Sequence, residues 1–164
     1  YLTARFGQDI TVILHGVSMG AATVLQLAGS RCPDCVKLII SDCAYTSAQD
    51  EFSYVARTAG LRPPQPVLWL LNEMNKRLAG FDLEKTDVRQ SVREAKVPIL
   101  FIHGALDDFV PPEMVYELYN LCPADKKELK IFDNAKHAQS CLLNEEEYHR
   151  TVDDFIRRRL PATI

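Results

Sequence analysis

Ser18 stands in Gly16-Val17-Ser18-Met19-Gly20, a G-x-S-x-G pattern. A serine hydroxyl is a weak nucleophile until a base takes its proton, and that base needs a third group to hold its tautomer. Further along come Asp107-Asp108 and then His137, so the chain offers a nucleophile, an acid and a base in that order. Four histidines compete for the base. His15 and His103 each precede a glycine at the end of an apolar run, where a ring packs at the floor of a site, and His149 falls inside a charged helical stretch. Only His137 lies in a polar loop long enough to carry its ring over Ser18. Three carboxylates compete for the acid: Asp107, its neighbour Asp108, and Asp42. The two adjacent aspartates point in different directions, so only one of them can meet His137.

The elements around these residues decide whether they can meet. Asp9 to His15 reads as a short buried strand and Met19 to Ser30 as a helix that follows at once. A strand, a sharp turn carrying serine and an immediate helix form a nucleophile elbow. Its glycines are expected to be there because a Cβ would keep strand and helix apart. The Met19 N–H, in the first turn of that helix, would face a developing oxyanion. Val36–Ile40 reads as a second strand, Val97–Ile102 as a third and Glu128–Phe132 as a fourth, the last with an edge-like alternation.

Between the second and third strands lies a helical excursion, residues 45–95, where a substrate-binding cap could sit. Within it Ser47 to Ala59 forms a helix closed by Gly60, and Arg62-Pro-Pro-Gln-Pro66 breaks the chain. Val67, Leu70, Leu71, Met74 and Leu78 then recur at helical spacing up to Gly80, and Asp87 to Ala95 makes a short polar helix. Trp69 is either a pocket wall or core. Pro112–Leu121 reads as a helix. A last helix opens at Asn144, with Glu147 three residues on as a capping box. Tyr1 to Gly7 reads as the tail of a helix ended by glycine. The alternation of strands and helices predicts an α/β chain, a three-layer αβα arrangement around a mostly parallel sheet. In such sheets the site lies at the carboxyl ends of the strands, where Ser18, Asp107 and His137 all fall.

Bulk properties narrow the field. At 164 residues the chain fits one domain with a real core. A net charge of −3 gives no basic excess for nucleic acid, and no apolar run reaches membrane-span length. The five cysteines, Cys32, Cys35, Cys43, Cys122 and Cys141, are an odd and scattered set. Cys32-Pro-Asp-Cys35 lacks a second ligand pair, so loop thiols in a reducing compartment, and hence a cytoplasmic chain, are expected.

Four stretches together carry a resemblance. Gly16–Gly20 followed by Ala21-Ala22, Asp42-Cys-Ala-Tyr-Thr-Ser47, Ile102-His-Gly-Ala-Leu-Asp107-Asp-Phe-Val-Pro111 and Ala135-Lys-His-Ala-Gln-Ser140 resemble bacterial α/β-hydrolases. The nearest branch is that of serine esterases and peptidase-like enzymes, similar to Bem46-type and prolyl-oligopeptidase-like hydrolases. The resemblance spans essentially the whole chain. It implies Ser18 as nucleophile, His137 as base and Asp107 as acid, with the Gly104-x-x-Asp107 spacing favouring that aspartate over Asp108. It also implies a partial fold, a domain at 1–164 without its first strands. The elbow strand would then be an apolar sheet edge, and the second oxyanion donor would lie in a His-Gly loop ahead of Tyr1. The expected activity is hydrolysis of carboxylic esters of small molecules through an acyl-enzyme, with no metal or organic cofactor. Peptidase or thioesterase chemistry on the same three residues and a non-catalytic binding protein are the alternatives.

Overall fold

The computed structural model describes residues 1–7, 9–61, 65–80 and 82–160. Four parallel strands, β1 (Val12–Val17), β2 (Val36–Asp42), β3 (Ile99–Gly104) and β4 (Lys127–Phe132), pair in the order β1-β2-β3-β4. In chain order the helices are α1 (Leu2–Phe6), α2 (Met19–Leu25), α3 (Ala48–Thr58), α4 (Gln65–Leu78), α5 (Arg89–Arg93), α6 (Pro112–Leu121), α7 (Ser140–Leu143) and α8 (Glu145–Arg159). Every strand-to-strand connection crosses over through a helix, as parallel pairing requires.

The alternation of side chains along the inner strands divides the core in two. Ile39, Ile99 and Phe101 pack with Ala21 and Leu25 of α2, Val92 of α5, and Val115 and Leu118 of α6. Leu38, Ile40, Leu100 and Ile102 face the other way, onto Tyr148 and Phe155 of α8. All six residues of β3 are buried, which is why Ile-Leu-Phe-Ile reads as a continuous apolar run. At about 1.5–3 kcal/mol per fully buried side chain, these two faces are the main source of stability. Among the described residues β1 and β4 are the outer strands, and both are only half-buried.

Several elements differ from the sequence reading. The elbow strand starts at Val12 rather than Asp9 and runs on to Val17, directly into Ser18. The helix after it ends at Leu25 instead of Ser30, because the Leu27 and Ala28 N–H groups bond three residues back, to Val24 and Leu25. Three short elements had no periodic signal: the 3₁₀ turns at Leu83–Thr86 and Ala124–Lys126, and α7. Of the expected breaker, residues 62–64 lie outside the described residues. Gln65 and Pro66 belong to the first turn of α4, where a missing N–H costs nothing. The periodic stripe of α4 faces outward: Val67, Leu70, Leu71, Met74 and Leu78 are exposed, and so is Trp69, which is not core. The buried face instead holds Leu68 and Asn72. Asn72 anchors the helix, accepting from the Leu83 N–H (2.8 Å) and donating to Asp82 (3.1 Å). The capping box at Asn144 is absent: Asn144 is the N-cap residue, but its amide donates to Asn134 and to the Ser140 carbonyl, and Glu147 pairs with Lys130.

Candidate active site

The elbow is built by steric necessity at one glycine. Ser18 adopts φ 55° and ψ −119°, a left-handed conformation that is costly for a residue with a side chain. It is held there by its N–H, which donates to the Asp42 carbonyl at 2.8 Å, and by α2 starting at Met19. A Cβ on Gly16 would lie 2.2 Å from the Gly20 carbonyl oxygen, so strand and helix approach as closely as they do only because residue 16 has none. The same reason does not extend to Gly20, whose Cβ would meet nothing within 4 Å.

The turn after β3 holds Asp107. Asp107 is 4% exposed, and its Oδ1 accepts from the N–H groups of Phe109 (3.0 Å) and Val110 (2.8 Å). Its Oδ2 lies 2.8 Å from His137 Nδ1 and 3.3 Å from His103 Nε2. His103 Nε2 is also 2.9 Å from the Val110 carbonyl, which can only accept, so the Nε2 of this buried ring carries the proton. Burial alone would raise the Asp107 pKa. The bonds from His103, His137 and the Val110 N–H outweigh it and hold the carboxyl well below the usual range.

The loop after β4 carries His137. It is locked to the Asp107 turn by the Leu106 N–H, which donates to the Ala135 carbonyl at 3.0 Å. A Cβ on Gly104 would sit 2.2 Å from that same carbonyl oxygen. His137 rests against Phe109, ring centroids 5.0 Å apart, and its Nε2 is 2.9 Å from Ser18 Oγ. With an ionised Asp107 able only to accept, Nδ1 donates and Nε2 is left to accept the Ser18 proton. The bond to Asp107, supported by a contact with the Cys43 thiol, raises the His137 pKa against the opposing effect of burial.

The structure thus brings Ser18, His137 and Asp107 into one hydrogen-bonded chain and leaves the other two acids out of it. Asp108 is exposed and pairs with Lys136 at 3.5 Å. Asp42 is buried among Tyr148, His103 and His15, and burial raises its pKa. Of the other histidines, His103 packs beneath the site as expected. His15 does not: it lies exposed on β1, its Nε2 2.8 Å from the Tyr148 hydroxyl. His149 is exposed on α8. Met19 begins α2, so its N–H has no intrahelical partner.

Two residues near the site had no signal in the sequence. The Cys43 sulfur and the nearest ligand atoms of Asp107 and His137 all lie within 4.8 Å of one another, a spacing that could hold a metal ion. Asp107 and His137 are already engaged with each other, however, so the cluster reads as the hydrogen-bonded chain with a thiol beside it. The second is Glu51 of α3, which joins Ser18, Met19, Tyr45, Ala48, Phe52, Val55 and Phe109 around a cavity of about 220 Å³. A separate cleft of about 280 Å³ between α3 and α4, walled in part by Trp69, touches none of these residues.

Burial pushes the Glu51 carboxyl from 4.5 up to about 7. The folded state therefore holds this proton over a range where the unfolded chain has released it, and stability falls as pH rises from about 4.5 through about 7. At 1.36 kcal/mol per unit the loss amounts to roughly 3 kcal/mol. Glu51→Gln cannot titrate. Urea midpoints should show its stability, relative to the parent chain, improving by about that much between pH 4.5 and pH 8. A difference that does not vary with pH would refute the assignment.

Residues 80–147, which contain β3, the Asp107 turn and the His137 loop, match the family described as "Serine aminopeptidase, S33". The uncharacterized Bacillus subtilis protein YqkD is 31% identical over 143 residues, covering 87% of this chain and 47% of that protein. Protein bem46 of Schizosaccharomyces pombe is 25% identical over 146 residues, covering 88% of this chain and 43% of that one. The chain therefore spans a little under half the length of these curated relatives. The crystal structure of an esterase domain from a Rhodothermus marinus protein superposes with a TM-score of 0.68 at 22% identity, over 96% of this chain and 63% of that one. A parallel sheet entered through a strained serine turn, with nearly the whole of this chain superposing on that domain, gives the chain the α/β-hydrolase fold.

Proposed function

We propose that the chain carries the catalytic centre of a serine hydrolase that cleaves carboxylic esters through an acyl-enzyme. The observation that carries this reading is the unbroken path from Ser18 Oγ to His137 Nε2 (2.9 Å) and from His137 Nδ1 to Asp107 Oδ2 (2.8 Å). As Ser18 Oγ attacks the ester carbonyl, its proton passes to His137 Nε2. Asp107, already anionic, stabilises the imidazolium that forms. The Met19 N–H donates to the carbonyl oxygen as it becomes an oxyanion. Collapse breaks the carbonyl–oxygen bond, and His137 returns the proton to the departing alcohol. Water then repeats the sequence on the acyl-Ser18 ester, releasing the acid and restoring the hydroxyl. The cavity beside Ser18, walled by Phe52, Val55 and Phe109, suits the acyl part of a small-molecule ester.

A fluorophosphonate should label Ser18 in the intact protein, with peptide mass spectrometry locating the adduct, and Ser18→Ala should not be labelled. Failure of a folded, intact preparation to react at Ser18 would sink the reading. The match of residues 80–147 to an aminopeptidase family supports a second reading, amide cleavage by the same three residues. Rates on an acyl ester and an aminoacyl amide, measured side by side, separate the two.

A further inference from the structure

Glu51 stands where α3 calls for an apolar residue. Ala48, Glu51 and Val55 fall on successive turns of one helix face, and all three line the cavity beside Ser18. Glu51 is 5% exposed, and neither of its carboxyl oxygens has a hydrogen-bond partner among the described residues. The chain does satisfy other polar groups nearby: Ser47 caps α3 at the Asp50 N–H, and Thr46 and Ser47 both donate to the Asp50 carboxylate. An unpaired buried carboxyl is among the most expensive groups a fold can carry, and natural structures keep few of them. The remaining cavity walls offer almost nothing polar, being Met19, Tyr45, Ala48, Phe52, Val55 and Phe109 around the serine. The charged or titratable groups facing Glu51 are Tyr45, on the cavity wall, and His137, His103 and Asp107, of which the two histidines are each already bonded to Asp107.

We propose that Glu51 determines specificity: its carboxylate receives an ammonium or N–H donor carried by the acyl part of the substrate, so the cavity selects amine-bearing acyl groups over neutral ones of the same shape. The assignment rests on Ser18 being the nucleophile, because the cavity is an acyl site only if the acyl group is transferred to that oxygen. It follows from how buried polar groups discriminate. A site built to meet a donor penalises the analogue that lacks it, since the site's own group is then left unpaired, whereas an added methyl in an apolar pocket is only weakly sorted. Burial that drives the carboxyl toward neutrality when the cavity is empty is relieved by a cation brought in beside it.

The experiment uses the intact protein and two pairs of p-nitrophenyl esters matched in shape: alaninate against isobutyrate, and 6-aminohexanoate against heptanoate. The amine substituents change intrinsic ester reactivity, so the quantity read is the amine-to-neutral ratio of kcat/KM compared between parent and variant, in which reactivity cancels. Glu51→Leu should lower that ratio roughly tenfold or more in at least one pair. Glu51→Gln, which keeps an acceptor oxygen and loses the charge, should fall between the two. Fluorophosphonate labelling of Ser18 in all three proteins reports the nucleophile and the fold independently of selectivity. Labelled proteins whose ratios agree within twofold in both pairs overturn the assignment alone. A parent protein that is folded and unlabelled overturns the hydrolase reading and this assignment with it.

Discussion

Asp107→Asn should lower kcat for an activated ester by roughly 10⁴-fold while the protein stays folded. Two features of the structure set that size. Asp107 Oδ2 accepts the His137 Nδ1 proton at 2.8 Å, and an ionised carboxylate cannot donate back, so one tautomer is enforced. An asparagine amide can present an N–H to the same ring, which stabilises the opposite tautomer and turns Nε2, 2.9 Å from Ser18 Oγ, into a donor. The base is then unable to take the serine proton. Asparagine also removes the negative charge beneath the imidazolium. The other two aspartates provide the contrast. Asp108→Asn breaks only an exposed pair with Lys136 and should stay within about threefold of the parent rate. Asp42→Asn replaces a buried carboxyl whose pKa is already raised and which does not touch His137, so less than about a tenfold change is expected. Steady-state rates for the three variants decide the matter. A loss at Asp42 or Asp108 matching that at Asp107 would refute the proposed roles.

Gly104→Ala should destabilise the protein by about 3 kcal/mol or more, a fall in Tm of roughly 10 °C, and should displace His137. The new methyl carbon would sit 2.2 Å from the Ala135 carbonyl oxygen and 2.7 Å from its carbon. These are backbone atoms, which cannot rotate away as the end of a side chain can. The clash falls between β3 and the loop that carries His137, beside the Leu106 N–H to Ala135 carbonyl bond that locks the two together. Relief must therefore move either Asp107 or His137. Gly16→Ala should behave alike at the elbow, where the methyl would meet the Gly20 carbonyl oxygen at 2.2 Å and push Ser18 out of line. Gly20→Ala is the internal control, because a Cβ there meets nothing within 4 Å. Its Tm should change by no more than about 2 °C, a shift of about 0.5 kcal/mol. Thermal melts of the three variants test the claim, and a Gly104→Ala protein as stable as Gly20→Ala would contradict it.

The α4 stripe shows where periodicity misleads. Val67, Leu70, Leu71, Met74 and Leu78 repeat at helical spacing, which correctly predicts a helix, yet they face outward while Asn72 is buried. Spacing reports which residues share a face. It does not report which face is covered, because that depends on partners brought near by the rest of the fold, here Asp82 and the Leu83 N–H. The α8 N-terminus fails for a related reason. The sequence pattern for a capping box is present, but Asn134 and Lys130, from other parts of the chain, compete for the two side chains.

By itself the sequence determined the elements that rest on local physics and on order along the chain. These are three apolar strand runs and one alternating strand separated by helices, the serine turn between a strand and a helix, and the placing of Ser18, Asp107 and His137 after strand ends in a parallel sheet. Each of these follows from periodicity, glycine placement and the fact that parallel strands share one carboxyl rim. Only the tertiary structure decided which of three aspartates meets the imidazole, that His103 braces that aspartate, that Gly16 is sterically required while Gly20 is not, and that Glu51 lies buried beside Ser18. Those outcomes turn on distances of an ångström or two between residues up to 119 positions apart, which no local pattern encodes.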